Sequence, residues 1–232
     1  MKKKLSVLFL LCGLCFLSGT AQNHWRVGAS AGADYNWYTL NKNYQTDYRY
    51  DGAWGWSAAV FGQYNFLNWL GLRAELEATE RNYRFYRTAM YDATNIIYHN
   101  TYIQLPVMAQ FRFGPSVYRD ESVSGLYGFV NLGVYAGYWA AGQQKGTWYD
   151  TLADMVFDVN EPYRFQTEKD QRADFGLAGG LGLGYRFSEH WEIHLEGRCY
   201  YSFLSTVKPY MRVKDNRYNT TLGLQAGFAY IF

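Results

Sequence analysis

Residues 72–81 read LRAELEATER. By composition this is a helix, because Leu, Ala, Glu and Arg are all strong helix formers. By spacing it is a strand: Leu72, Ala74, Leu76 and Ala78 alternate with Arg73, Glu75 and Glu77. A helix would scatter the three charges around its surface, whereas a strand gathers them on one face and the apolar residues on the other. Period therefore overrides propensity, and the stretch is read as a strand with one charged and one apolar face.

The same period of two recurs through most of the chain. WRVGASAGADY (25–35) sets Trp25, Val27, Ala29, Ala31, Ala33 and Tyr35 against Arg26, Ser30 and Asp34. WGWSAAVFGQYNF (54–66), YIQLPVMAQFRF (102–113) and LYGFVNLGVYAGYW (126–139) alternate likewise. So do DFGLAGGLGLGYRF (174–187), WEIHLEGRCYY (191–201) and TLGLQAGFAYIF (221–232). With the opening stretch, extended from Trp69 to about Tyr83, these make eight strands. Short turns fall near Leu67–Asn68 and Ser188–His190, with a medium one at Gly114–Ser124. Long polar segments fall at 36–52, 84–97, 140–171 and 205–216.

Short turns at one end and long loops at the other describe an all-β, eight-stranded, antiparallel, up-and-down transmembrane β-barrel. In lipid every backbone group must be paired within the protein, so spanning strands have to close into a barrel. The predicted orientation puts the short turns in the periplasm and the four long loops outside the cell. Aromatic content supports two interfacial belts: the chain has 23 Tyr, 15 Phe and 8 Trp among 232 residues. Trp25, Phe66, Trp69, Phe113, Phe187 and Trp191 gather at the short-turn end, and Tyr35, Trp54, Tyr138, Trp139 and Tyr201 at the other.

MKKKLSVLFLLCGLCFLSGTAQ opens with three lysines, an apolar run from Leu5 to Leu17 and then small residues, the pattern of a secretory signal peptide cut after Ala21. The expected division is therefore a signal peptide over 1–21 and one barrel domain over 22–232. Without Lys2, Lys3 and Lys4 the 22 basic residues become 19 against 20 acidic ones, so no basic field remains to attract nucleic acid. Cys12 and Cys15 leave with the signal, and Cys199 stands alone without a disulfide partner.

The signal peptide, the eight alternating strands, the YIQLPV segment (102–107) and the terminal AYIF together resemble PorT-like small outer-membrane β-barrels of the Bacteroidetes type. More broadly they resemble the OmpA/OmpX class of eight-stranded barrels. The resemblance implies this fold and an outer-membrane location more than an activity. It also implies that Phe232 presents a C-terminal signal to the barrel-assembly machinery.

Candidate sites reduce mainly to filling of the barrel. An eight-stranded barrel has an interior just wide enough for side chains. Arg73, Glu75, Glu77, Arg112, Arg186, Glu192, Glu196 and Arg198 are read as a lumen network of compensating charges. Unpaired ions there would be costly. Glu75 and Glu77, about 6.8 Å apart along a strand, lie within the spacing of glycosidase carboxylates, but any acidic alternating strand gives that spacing. HWEIHLE places His190, Glu192, His194 and Glu196 on one face, yet the two histidines stand about 13.6 Å apart, too far for one ion. GLAGGLGLG (176–184) fits no phosphate-binding loop. Its inward small residues are expected to make room for neighbouring Arg, Glu and Tyr side chains. DYNWYTLNKNYQTDYRYDGAWGW (34–56) serves either as an exposed binding surface or as interfacial anchors. Asp150, Asp154 and Asp158 read as a solvated face, without the spacing of a calcium loop.

No catalytic residue, metal or cofactor is expected. The function read from the sequence is a non-enzymatic barrel, embedded in outer-membrane lipid, whose surface loops bind a protein or glycan partner or support envelope assembly or secretion. The alternative is a small pore for ions or solutes. A lipid-modifying enzyme lacks a nucleophile with defensible geometry, and a soluble periplasmic barrel would turn the apolar face inward instead.

Overall fold

The structure, a computed structural model, describes residues 25–40, 48–87, 93–114, 125–208 and 216–232. The expected signal peptide lies outside the described residues. Among the described residues ten antiparallel strands form one sheet. They are β1 (Trp25–Leu40), β2 (Tyr48–Leu67), β3 (Leu70–Glu80), β4 (Tyr83–Arg87), β5 (Asn95–Phe113), β6 (Gly125–Asp150), β7 (Met155–Pro162), β8 (Ala173–Arg186), β9 (Trp191–Ser205) and β10 (Arg217–Ile231).

The pairings close on themselves. β1 pairs with β2 and β10, and the circuit continues β2–β3–β5–β6–β8–β9–β10. Those eight strands are the staves of the barrel, and each coincides with one of the eight alternating stretches of the sequence to within a few residues at its short-turn end. The first and last staves seal it over a long register, from Arg26↔Ile231 to Leu40↔Arg217. The other two strands extend the wall. β4 continues the line of β3 between β2 and β5, and β7 folds back on the far end of β6.

LRAELEATER is strand along nearly its whole length, and its alternate residues are buried and exposed in turn. The rule holds around the ring. Large apolar side chains such as Val60, Leu76, Leu105, Leu132, Leu181 and Leu224 stand exposed on the outer surface, while the buried set is dominated by polar and charged residues. This inversion of a soluble core is what a wall facing lipid requires. Outward rings ring both ends: Trp25, Phe66 and Trp191 at the short turns, Trp54, Tyr138 and Tyr201 at the other. Trp139, expected in the outer belt, instead points inward and is 3 % exposed. Its odd number puts it on the lumen face with Tyr127, Phe129, Asn131 and Tyr135.

The long polar segments are strand for much of their length. β1 runs to Leu40, β2 starts at Tyr48, and β6 and β7 form a hairpin through residues 143–162. Outside lipid a strand no longer needs an apolar outer face, so alternating hydrophobicity fades while the ladder persists. The medium turn at Gly114–Ser124 falls, beyond Gly114, outside the described residues.

Candidate functional site

β9 supplies a rung at each level of the lumen. From the short-turn end its inward residues are Glu192, His194, Glu196, Arg198, Tyr200 and Ser202. Arg26 binds Glu192 at 2.5 Å and lies 3.3 Å from the Tyr127 hydroxyl, while the buried Arg112 acts on the same carboxylate. Above it His194 sits edge-on between Phe61 and Phe129, at ring distances of 5.5 and 6.2 Å. The Arg73 guanidinium lies 3.7 Å from the Phe61 ring centre.

The central level holds the densest charge. Arg198 grips Glu75 with both terminal nitrogens, at 2.5 and 2.7 Å, and reaches Glu196 at 2.9 Å. Arg73 meets Glu75 at 2.5 Å and Glu196 at 3.7 Å. Two guanidinium groups thus face three carboxylates, and neutral donors complete the third. Glu77 accepts from Tyr200 at 2.5 Å and from Gln104 and Gln225 at 2.9 Å each. Asn131 donates to Glu196 at 2.7 Å. Such pairing keeps buried ions tolerable.

Of the eight residues predicted for the lumen network, seven are buried there. Arg186 is not. It sits at the rim, bonded to the backbone carbonyls of Ser188 and Glu189 in its own turn. At the last residue of its strand a long side chain can curl back to cap the turn. His190 likewise leaves the predicted face: it precedes β9, is exposed, and stacks on Tyr230 at 5.6 Å. Glu192 and Glu196 flank His194, but arginines already hold both carboxylates. Among the described residues no three metal-ligating side chains converge.

Four lumen charges were missing from the predicted set. Besides Arg26 they are Asp34, Arg81 and Asp174. Arg81 is the final letter of LRAELEATER. It bonds Asp174, reaches Gln104 at 2.5 Å and faces the Tyr135 ring at 4.8 Å. Asp34 accepts from Thr79 at 2.8 Å. The alternation that exposed Glu75 also extends to these positions.

Glycines in β8 make the packing possible. A Cβ at Gly184 would strike the Tyr127 ring, and one at Gly182 the Phe129 ring. A Cβ at Gly180 would strike the Glu196 carboxylate, whereas one at Gly176 would meet only the backbone of β9, so the small residues make room for Tyr, Phe and Glu side chains rather than for the expected Arg.

Toward the long-loop end the filling turns aromatic. Tyr83 stacks on Tyr98 at 4.6 Å and packs on Tyr38 at 4.5 Å, with Tyr50 at 5.8 Å. Trp139 stacks on Tyr102 at 5.9 Å and on Tyr163 at 5.2 Å. Tyr38 and Tyr50 come from the Tyr-rich segment, which therefore contributes to the interior. Burial and the Asp170 carboxylate that its hydroxyl reaches at 3.0 Å push the Tyr163 phenol up, so it stays a neutral donor. Beyond this plug the β6–β7 hairpin carries exposed Trp148, Met155, Val156 and Phe157. At its turn Leu152 is 97 % exposed and Asp154 adopts φ 51°.

The family described as an outer membrane protein beta-barrel domain matches residues 20–208. No curated protein matches the chain. Among solved structures the chain is similar to OprG from Pseudomonas aeruginosa, with 13% identity and a TM-score of 0.49 over 91% of this chain and 98% of that one. It is also similar to Neisserial surface protein A, with 14% identity and a TM-score of 0.46 over 89% and 97%. A third is Ail of Yersinia pestis in complex with the heparin analogue sucrose octasulfate, with 17% identity and a TM-score of 0.41 over 89% and 99%.

Proposed function

The chain belongs to the outer membrane protein beta-barrel domain family, and from that premise we propose that it is a non-enzymatic barrel that binds a partner through its long-loop end. The partner is a protein or glycan outside the cell, or a component of envelope assembly or secretion. Within the family we place the chain with the PorT-like small barrels, on its YIQLPV and AYIF segments. Those segments carry the envelope-assembly side of the proposal.

The observation that carries this reading is the contrast between a filled lumen and a projecting end. Charged rungs and aromatic layers succeed one another from Glu192 to Trp139, with the inward side chains buried at every level. An eight-stranded cylinder has little room beyond its side chains. The β6–β7 hairpin, by contrast, leaves large apolar side chains in the open. Exposed apolar surface of that kind marks interaction sites.

Reconstitution in a planar bilayer tests it against the pore. The folded protein is expected to give no stable conductance above background. Reproducible single-channel steps that change in Glu75→Ala or Arg198→Ala would show that the lumen charges line a permeation path, and the partner-binding reading would give way.

A further inference from the structure

The β6–β7 hairpin ends the sheet: β7 pairs with β6 on one side, and among the described residues nothing pairs with the other. The register identifies which groups that free edge presents. Tyr163 donates its backbone N–H to the Gly142 carbonyl at 2.8 Å, one step beyond the Gln143↔Pro162 pair. In an antiparallel ladder hydrogen-bonded and non-bonded pairs alternate, so Glu161, Val159, Phe157 and Met155 also bond inward to β6. The backbone groups of Val156, Asp158 and Asn160 therefore point outward. The far side of β6 agrees, since the Tyr149 N–H turns toward β5 and donates to Thr94 Oγ1 at 3.1 Å.

The two faces of the hairpin differ. Phe157 lies opposite Trp148, and Val159 opposite Gly146, with Met155 on the same face. The other face is mixed: it carries Val156, Asp158 and Asn160, opposite Tyr149, Thr147 and Lys145. Charge is one-sided, for Asp150, Asp154, Asp158 and Glu161 stand against Lys145 alone. Natural edge strands are commonly blunted by charged side chains, above all lysine, by a bulge or by proline. β7 carries no lysine, and its blunting groups are Asp158, Glu161 and the terminal Pro162, which admit a basic strand and repel an acidic one.

The geometry points to β-strand addition: the free edge of β7 binds an extended segment of a protein partner in which apolar and basic residues alternate. Backbone groups of Val156, Asp158 and Asn160 supply the hydrogen bonds. The apolar side chains of the segment extend the Trp148–Phe157–Val159 face, and its basic ones meet Asp158. This assignment rests on the proposed partner-binding role and names its surface.

The probe is a synthetic octapeptide alternating lysine with valine, added to the purified full chain in lipid nanodiscs, with amide hydrogen exchange as the readout. Exchange at Val156, Asp158 and Asn160 should slow by about tenfold or more, as for amides that gain a partner. A peptide alternating glutamate with valine should have no such effect. Asp158→Pro removes one outward donor and no bond of the β6–β7 ladder, so it should abolish peptide binding while Met155, Phe157 and Val159 stay protected. Peptide binding without protection at the edge, an equal response to the glutamate peptide, or full binding by Asp158→Pro would each overturn the assignment. So would edge amides already protected without peptide in a concentration-dependent way, which would mean that a second copy occupies the strand. If Asp158→Pro keeps a cell-surface partner that is lost when residues 145–160 are replaced by a tight turn, strand addition fails while partner binding stands.

Discussion

Arg198 sits at the middle of a closed cylinder only because three carboxylates meet it there. It grips Glu75 twice, touches Glu196, and lies 3.6 Å from Glu77. Removing one partner of a buried pair leaves an uncompensated charge and costs about 3–5 kcal/mol, far more than the pair contributes net. Glu75→Gln and Arg198→Met are each expected to lose that much in urea unfolding from lipid vesicles. The double variant should lose less than the two losses added, because residues in one network couple by about 0.5–3 kcal/mol. Strict additivity would show that the two side chains do not share an interaction. At this scale the sequence was legible through parity: an odd-numbered charge between Leu72 and Ala78 had to point inward. The same parity reaches Arg81 and, on other strands, Arg26, Asp34 and Asp174. What parity cannot foresee is a strand end. Arg186 and His190 sit where a ladder stops, and there local hydrogen bonding and stacking decide direction.

A whole strand is the unit on which face assignment is tested. On β6, Leu132 is exposed to the outside and its neighbour Asn131 is fully buried, donating to Glu196 at 2.7 Å. Arginine at the midplane of such a barrel costs roughly 2–4 kcal/mol. Asn131→Ser loses one hydrogen bond to a charged group, about 1.5–3 kcal/mol if the shorter hydroxyl fails to reach. Leu132→Arg is therefore expected to lower folded yield in lipid more than Asn131→Ser does, by a margin narrower than burial alone suggests. Equal yields would mean that the two faces of β6 are reversed. Strand identity was readable wherever one face had to be apolar, and hidden where it did not. Asn36–Thr39, Arg49–Gly52 and the β6–β7 hairpin carry polar and aromatic residues without a continuous apolar face, so in sequence they look like loop. Ladder pairing extends the wall through them all the same, with β10 partnering the end of β1.

The molecule as a whole is asymmetric along its axis. One end closes in turns as short as Asn68–Trp69, and the other rises into the aromatic plug and the hairpin. β1 starts at the short-turn end, and the eight staves return β10 to that same end. In the proposed orientation the hairpin stands outside the cell. Cysteine labelling resolves the direction, because Leu152 and Ser188 are exposed at opposite ends of the barrel, whereas Cys199 lies on the outer wall among lipid-facing residues. A membrane-impermeant maleimide on intact cells is expected to label Leu152→Cys and leave the unsubstituted chain unlabelled. Ser188→Cys should react only after the outer membrane is permeabilised. Labelling of Ser188→Cys first would invert the topology and put the hairpin, with its free edge, in the periplasm. Its partner would then have to be sought among periplasmic proteins rather than at the cell surface.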